Sequence, residues 1–249
     1  MSRSANQFVL TDDLSLELPA DEVHVWTADL ESYAPESLTS LLSTDEAQRA
    51  QRFHFNTHRH HFIVARALLR KLLAGYLKTA ADEVAFQYGD YGKPSLASAT
   101  PYKFNLAHSH GRAAYAFSLN RELGIDLELV RADFGGAEVA QRFFSRCEIE
   151  ILEKLPKALA GQAFFNCWTR KEAYIKAIGE GLSMPLDLFD VSLAPGEPAA
   201  LLRNQRNAEE VSRWSMQTLA APDGYVAALV VEGNDWKLKT FTLQGPVAR

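Results

Sequence analysis

The chain has 249 residues, of which 47% are hydrophobic and 23% charged, and its formal net charge is −5. That is enough for one large or two small domains with a real core, and the balance gives no global reason to expect nucleic-acid binding. Cys147 and Cys167 alone cannot build a disulfide framework or a zinc ribbon, and no stretch approaches the ~20 apolar residues of a membrane span. Asp12 and Asp13 stand where a signal peptide needs an apolar run, so a cytoplasmic protein is expected.

In chain order, "EVHVWTADL" reads as a short strand with Val23, Val25 and Thr27 on one face. "STDEAQRAQRF" reads as a helix capped by Ser43 or Thr44, with acids in its first turn. "THRHHFIVARALLRKLLAGYL" has Phe62, Ala65, Leu69, Leu72 and Leu73 at helical spacing and is expected to end near Gly75. "EVAFQYGDYGKPSL" is a strand entering a glycine-rich turn, and "KFNLAHS", "AAYAFSL" and "LGIDLEL" are three strand-like runs.

The second half repeats this order. "AEVAQRFFSRCEIEIL" is helical with a break around Ser145, and "AGQAFFNCWTRKEAYIKAIG" is a long helix with Phe164, Trp168, Ile175 and Ile178 on its apolar side. "LFDVSL", "VSRWSMQTL", "GYVAALVV" and "WKLKTFTL" are strands. The order points to a duplicated α+β unit, halves 1–130 and 131–249, with a hinge near Gly135 and Gly136.

Four features carry chemistry. In "GIDLELV", Asp126 and Glu128 stand at i and i+2, so both carboxylates leave the same face of an otherwise apolar strand. Such a pair is ordinarily a solvated face, but it also suits Mg²⁺, which takes one or two carboxylates and completes its shell with water and phosphate. In "WTRKEAYIKAIGEGL", Glu172 and Lys176 share a helix face: a surface salt bridge in the plain reading, or a third oxygen ligand or general base followed by a phosphate-facing lysine. Arg49, Arg52, Arg59, Arg66 and Arg70 would form an arginine stripe if their helix were continuous, and Lys93 adds a cation on a turn stiffened by Pro94. Asn105, His108, Ser109 and His110 cluster between two strands, without the acidic or cysteine partners that zinc spacing needs.

Together, "YGKP" at Tyr91–Pro94, "FNLAHS" at Phe104–Ser109, "GIDLE" at Gly124–Glu128 and "WTRKEAYIKAIGEGL" at Trp168–Leu182 resemble, in order, the motifs of the Sfp-type 4′-phosphopantetheinyl transferases. The last is specific. The resemblance implies a pseudo-dimer of two similar α/β halves with the active site between them. It implies a Mg²⁺ site (Mn²⁺ as the alternative) of Asp126, Glu128 and Glu172, with Asp126, Glu172 and Lys176 as the catalytic set. Coenzyme A would meet Arg49, Lys93, Pro94, Ala107, His108 and Lys176. Ala107 stands where the family usually has serine, so a contact through that hydroxyl would be lost.

The implied reaction moves the phosphopantetheine arm of coenzyme A onto a serine of an apo acyl or peptidyl carrier protein, releasing adenosine 3′,5′-bisphosphate, with Glu172 as base. The carrier would dock near the hinge, around "FFSRCEIEIL" and Met184, and one chain would suffice as a monomer. A silent coenzyme A or nucleotide-binding module and a Mg²⁺-dependent phosphohydrolase are the alternatives.

Overall fold

The computed structural model describes residues 6–11, 14–131 and 136–246. Twelve strands and six α-helices are formed among these residues: β1 (Asn6–Val9), β2 (Glu22–Asp29), α1 (Thr44–Gln51), α2 (Asn56–Leu77), β3 (Phe86–Tyr88), β4 (Pro94–Leu96), β5 (Tyr102–Ser109), β6 (Arg112–Leu119) and β7 (Leu123–Leu129). There follow α3 (Gly136–Phe143), α4 (Arg146–Lys154), α5 (Lys157–Ile178), β8 (Phe189–Val191), β9 (Leu201–Asn204), α6 (Glu210–Arg213), β10 (Trp214–Leu219), β11 (Tyr225–Glu232) and β12 (Lys237–Gln244). None of the described helices is long and apolar enough to cross a membrane.

Alternation along the strands sorts the apolar side chains into three cores, and the cores define four layers. Trp26, Phe104, Tyr115 and Phe117 pack beneath α2 on one face of the sheet β1-β12-β2-β6-β5. Its other face, with Val25, Ala114 and Ala116, meets Ile125, Leu127 and Leu229 of the sheet β10-β11-β7. The far face of that second sheet, with Met216, Ala228 and Val230, is covered by α5. The result is helix, sheet, sheet, helix: the α+β class with two similar halves.

The repeat is visible in the strand partners. β2 pairs with β6 and β6 with β5; β7 pairs with β11 and β11 with β10, all antiparallel. Each set encloses a 22-residue helix, α2 or α5, and a short hairpin, β3–β4 or β8–β9. In this pattern β7 opens the second unit, so pairing does not follow a division at residue 130. β7 follows β6 after a short turn and reads in sequence as the third strand of a meander. Its hydrogen-bonding edge, however, is taken by β11. The hinge expected at Gly135 and Gly136 falls largely on 132–135, outside the described residues.

Further expectations are refined. α2 runs past Gly75 to Leu77 and is capped by Lys78 in the left-handed region. Gly75 lies inside the helix, and its missing side chain leaves room for Leu16: a Cβ there would lie 3.2 Å from the Leu16 side chain. The break at Ser145 is present, with Ser145 capping α4 in a reciprocal pair with Glu148. "VSR" belongs to the turn of α6 rather than to β10.

The arginine stripe does not form, because α1 stops at Gln51 and α2 begins at Asn56. Arg66 and Arg70 are buried on Glu46 of α1, with Arg70 Nε at 2.7 Å from Glu46 Oε2 and both guanidinium groups against the Phe86 ring. Their charge is committed to tying α1 to α2. In the other half the buried Lys171 Nζ pairs with Glu148 at 2.8 Å and donates to the carbonyls of Leu186 and Phe189, tying α4 and the approach to β8 onto α5.

Candidate active site

β7 lies between the cores, and its alternation decides what faces α5. Ile125 and Leu127 enter the inter-sheet core. Gly124, Asp126 and Glu128 therefore point the other way, toward α5. Gly124 is what lets the helix come so near: a Cβ there would stand 2.1 Å from the Ala173 carbonyl oxygen and 2.4 Å from the Ala177 nitrogen. Ala173 and Ala177 each follow directly on Glu172 and Lys176, so the close approach delivers both side chains to the acids of β7.

Lys176 Nζ lies 2.6 Å from Asp126 Oδ1 and 3.3 Å from the Ile125 carbonyl. Asp126 Oδ2 is buried and has no hydrogen-bond partner among the described residues. Glu128 accepts from Ser109 Oγ at 2.8 Å, and Asn105 Oδ1 accepts from the Ile125 amide at 3.0 Å. Two polar residues of β5 thus hold β7 in place across the sheet interface.

The electrostatics record the crowding of carboxylates. Burial, then the charge of Asp126, pushes Glu172 up to about 7, with Glu128 adding and Lys176 opposing. Burial and Asp126 raise Glu128 in the same way. Burial works against the charge of Lys176, but Asp126, Glu172 and Glu128 outweigh it and hold the lysine above its usual range.

The sign of the resulting stability dependence is definite. In metal-free protein, native Glu172 keeps a proton between about pH 4.5 and 7 that the unfolded chain has released, so stability falls as pH rises through that window. The expected loss is at most about 3 kcal/mol. In urea melts with a chelator, E172Q should gain on the parent between pH 5 and pH 8; an equal difference at both pH values would refute this origin.

Three carboxylates, one lysine and an unpartnered buried oxygen on Asp126 fit a hard divalent cation. Among the described residues no three Asp, Glu, His or Cys side chains form a ready-made metal cage. An ion that fills its shell from water and substrate oxygens needs none.

The expected coenzyme A residues fall into two groups. Arg49 is exposed with its guanidinium over the Phe62 ring, and His108 faces the same region. His108 is exposed, but the protein mass around its ring, then the charges of Lys176, His61, Arg49 and His58, hold it below the usual histidine range. His58 and His61, both on α2, lie near enough to act on the His108 ring, and His61 Nε2 is 2.5 Å from Glu31 Oε1. Ala107 is 5% exposed and its methyl packs in the inter-sheet core with Ala114 and Leu127, so a hydroxyl there would face the core and not a ligand. Pro94 opens β4 and pairs with Tyr88. Lys93 is committed to Glu122, at 2.8 Å.

Family models match both halves: "4′-phosphopantetheinyl transferase, N-terminal" over residues 25–118 and "4′-phosphopantetheinyl transferase superfamily" over 122–230. The 4′-phosphopantetheinyl transferase HetI of Nostoc sp. is 39% identical over 232 residues, spanning 90% of this chain and 94% of that protein. The chain belongs to the 4′-phosphopantetheinyl transferase family. The transferase Sfp of Bacillus subtilis is 30% identical over 158 residues, 64% of this chain and 69% of Sfp. A solved holo-(acyl-carrier-protein) synthase of Bacillus anthracis in complex with CoA (3′,5′-ADP) overlays 45% of this chain and 96% of its own, at a TM-score of 0.34 and 18% identity, too slight a likeness to argue from. The two phosphopantetheinyl transferase models meet between residues 118 and 122, where β6 gives way to β7 and the repeat turns over.

Proposed function

We propose that this enzyme transfers the 4′-phosphopantetheine arm of coenzyme A to a serine of an apo carrier protein, giving the holo carrier and adenosine 3′,5′-bisphosphate. The observation that carries the reading is the contact of Lys176 on α5 with Asp126 on β7 at 2.6 Å, with Glu128 and Glu172 near enough to act on one another's charge and Asp126 Oδ2 buried without a partner among the described residues. Asp126, Glu128 and Glu172 would hold Mg²⁺, with Mn²⁺ as the alternative. Bound there, the ion would offset charge on the pyrophosphate of the leaving group.

The chain's own groups do the rest. Lys176 orients the Asp126 carboxylate through Oδ1, leaving the buried Oδ2 available to the ion. Glu172 takes the proton of the attacking serine hydroxyl directly or through water. Arg49 offers positive charge, and His108 a ring nitrogen, for the 3′-phosphate end of coenzyme A.

Carrier docking is best supported at α4. Ile149 and Leu152, within "FFSRCEIEIL", line a cavity of about 390 Å³ with Ala140, Phe164 and Arg131. Arg131, in the wall of this cavity, is also near enough to Glu128 to favour its charged form. Met184 is 2% exposed and belongs to the core under α5, so it is withdrawn as a docking residue. Both halves of the site come from one chain, which favours a working monomer. Free Cys147 and Cys167 suit a reducing cytoplasm.

The test is incubation with coenzyme A, Mg²⁺ and several apo carrier proteins, followed by mass spectrometry of the carrier. A gain of one phosphopantetheine is expected. Cleavage of coenzyme A without transfer would make the protein a phosphohydrolase, and binding alone would make it a silent module.

A further inference from the structure

Lys93 leaves the turn before β4, in the first repeat, and its ammonium is delivered to the second. Nζ lies 2.8 Å from Glu122 Oε2, 2.8 Å from the Ala177 carbonyl oxygen and 3.4 Å from the Leu123 carbonyl oxygen. An ammonium has three donors, and three acceptors are in place around this one. The side chain is 19% exposed. A phosphate oxygen would have to displace an existing partner.

The partners are specific in what they join. Ala177 O is among the last four carbonyls of α5, which the helix itself leaves without donors, and a positive charge there also suits the helix dipole. Glu122 and Leu123 are the residues at which β7 begins. Gly179 caps α5 at φ +80°, and a Cβ at that position would come within 3.3 Å of Lys93 Cδ, so the cap leaves room for the lysine stem. One ammonium therefore holds the end of α5 to the start of β7, one residue from Lys176 and three from Asp126.

We propose that Lys93 is a positioning residue for transfer: it sets the register of Glu172 and Lys176 on α5 against Asp126 and Glu128 on β7, and it does not serve as a cation for coenzyme A. This inference rests on the transferase reading above. It assigns the same task to Glu122, an anion that no phosphate-binding role would require and that Lys103 also pairs with, at 2.7 Å.

K93M and E122Q, separately and together, test it in steady-state transfer with coenzyme A, Mg²⁺ and an apo carrier, beside calorimetric binding of coenzyme A with Mg²⁺. Expected for both single variants is a fall in kcat of about tenfold, with KM and Kd for coenzyme A within about twofold of the parent. The double variant should be no worse than the poorer single, since both break one link. The proposal is overturned if K93M weakens coenzyme A about tenfold with kcat retained, or if E122Q leaves kcat unchanged. Should K93M fail to fold, E122Q, which keeps the lysine and its carbonyl partners, decides alone. If the unaltered protein modifies no carrier, the transferase reading itself fails, and the calorimetric comparison still decides whether Lys93 meets coenzyme A.

Discussion

Asp126→Ala should reduce phosphopantetheine transfer by about three orders of magnitude while leaving a cooperatively folded protein. Two properties of this carboxylate set the size of the effect. Oδ1 holds Lys176 and Oδ2 is buried with no partner among the described residues, so a single side chain both orients the lysine and presents a buried oxygen to the ion. The fold is expected to survive because the substitution also removes a like charge from beside Glu128 and Glu172. Lys176, 28% exposed, can turn its ammonium to water. Turnover measured with coenzyme A, Mg²⁺ and an apo carrier, alongside a thermal melt, checks both parts. Retained turnover would remove Asp126 from the chemistry, and a lost melting transition would make it a structural residue instead.

Gly124→Ala should damage stability and turnover together, although it adds only one methyl group. The new Cβ would coincide with the backbone of α5, 2.1 Å from the Ala173 carbonyl oxygen, and neither a helix backbone nor a buried strand can yield as a flexible side chain does. Overpacking of this kind costs about 3 kcal/mol or more. Any displacement of α5 that relieves it also moves Glu172 and Lys176 off the acids, where an error of 1 Å can cost on the order of a hundredfold in rate. Gly161, in the same helix with nothing within 4 Å of its added Cβ, is the control. Gly161→Ala should raise stability by about 0.5–1 kcal/mol through helix propensity and, at saturating carrier because Gly161 also lines the proposed docking cavity, leave kcat alone. Urea melts and kcat for the two variants make the comparison; a G124A protein as stable and active as G161A would mean that α5 and β7 are not in that contact.

The site was more legible in the sequence than the topology. Period-two spacing alone puts Asp126 and Glu128 on one face, and i, i+4 spacing puts Glu172 and Lys176 on another, so two motifs already describe two surfaces. The same spacing places Gly124 on the acids' face, which is the available sign that a helix lies directly over it. What spacing could not convey was which cations are free. Arg66, Arg70 and Lys93 look like a phosphate-binding set until Glu46 and Glu122 are seen to hold them, and both partners are distant in sequence. Strand membership was hidden for a related reason. Nothing local in β7 distinguishes pairing with the preceding β6 from pairing with β11, about a hundred residues later.

The placement of β12 bears on how the molecule comes into being. This strand lies inside the first sheet, parallel to both neighbours, with β1 on one side and β2 on the other. Trp26 of β2 stacks on Phe241 of β12, across 215 residues of chain. During synthesis the first half must wait for the last strand, its β2 edge open and its aromatic partner not yet made. Contacts of such long range close slowly and leave unpaired edges exposed in the interim. The amino-terminal repeat is therefore the first to be made and the last to be finished, so the two units cannot be produced as independent domains by cutting the chain between them.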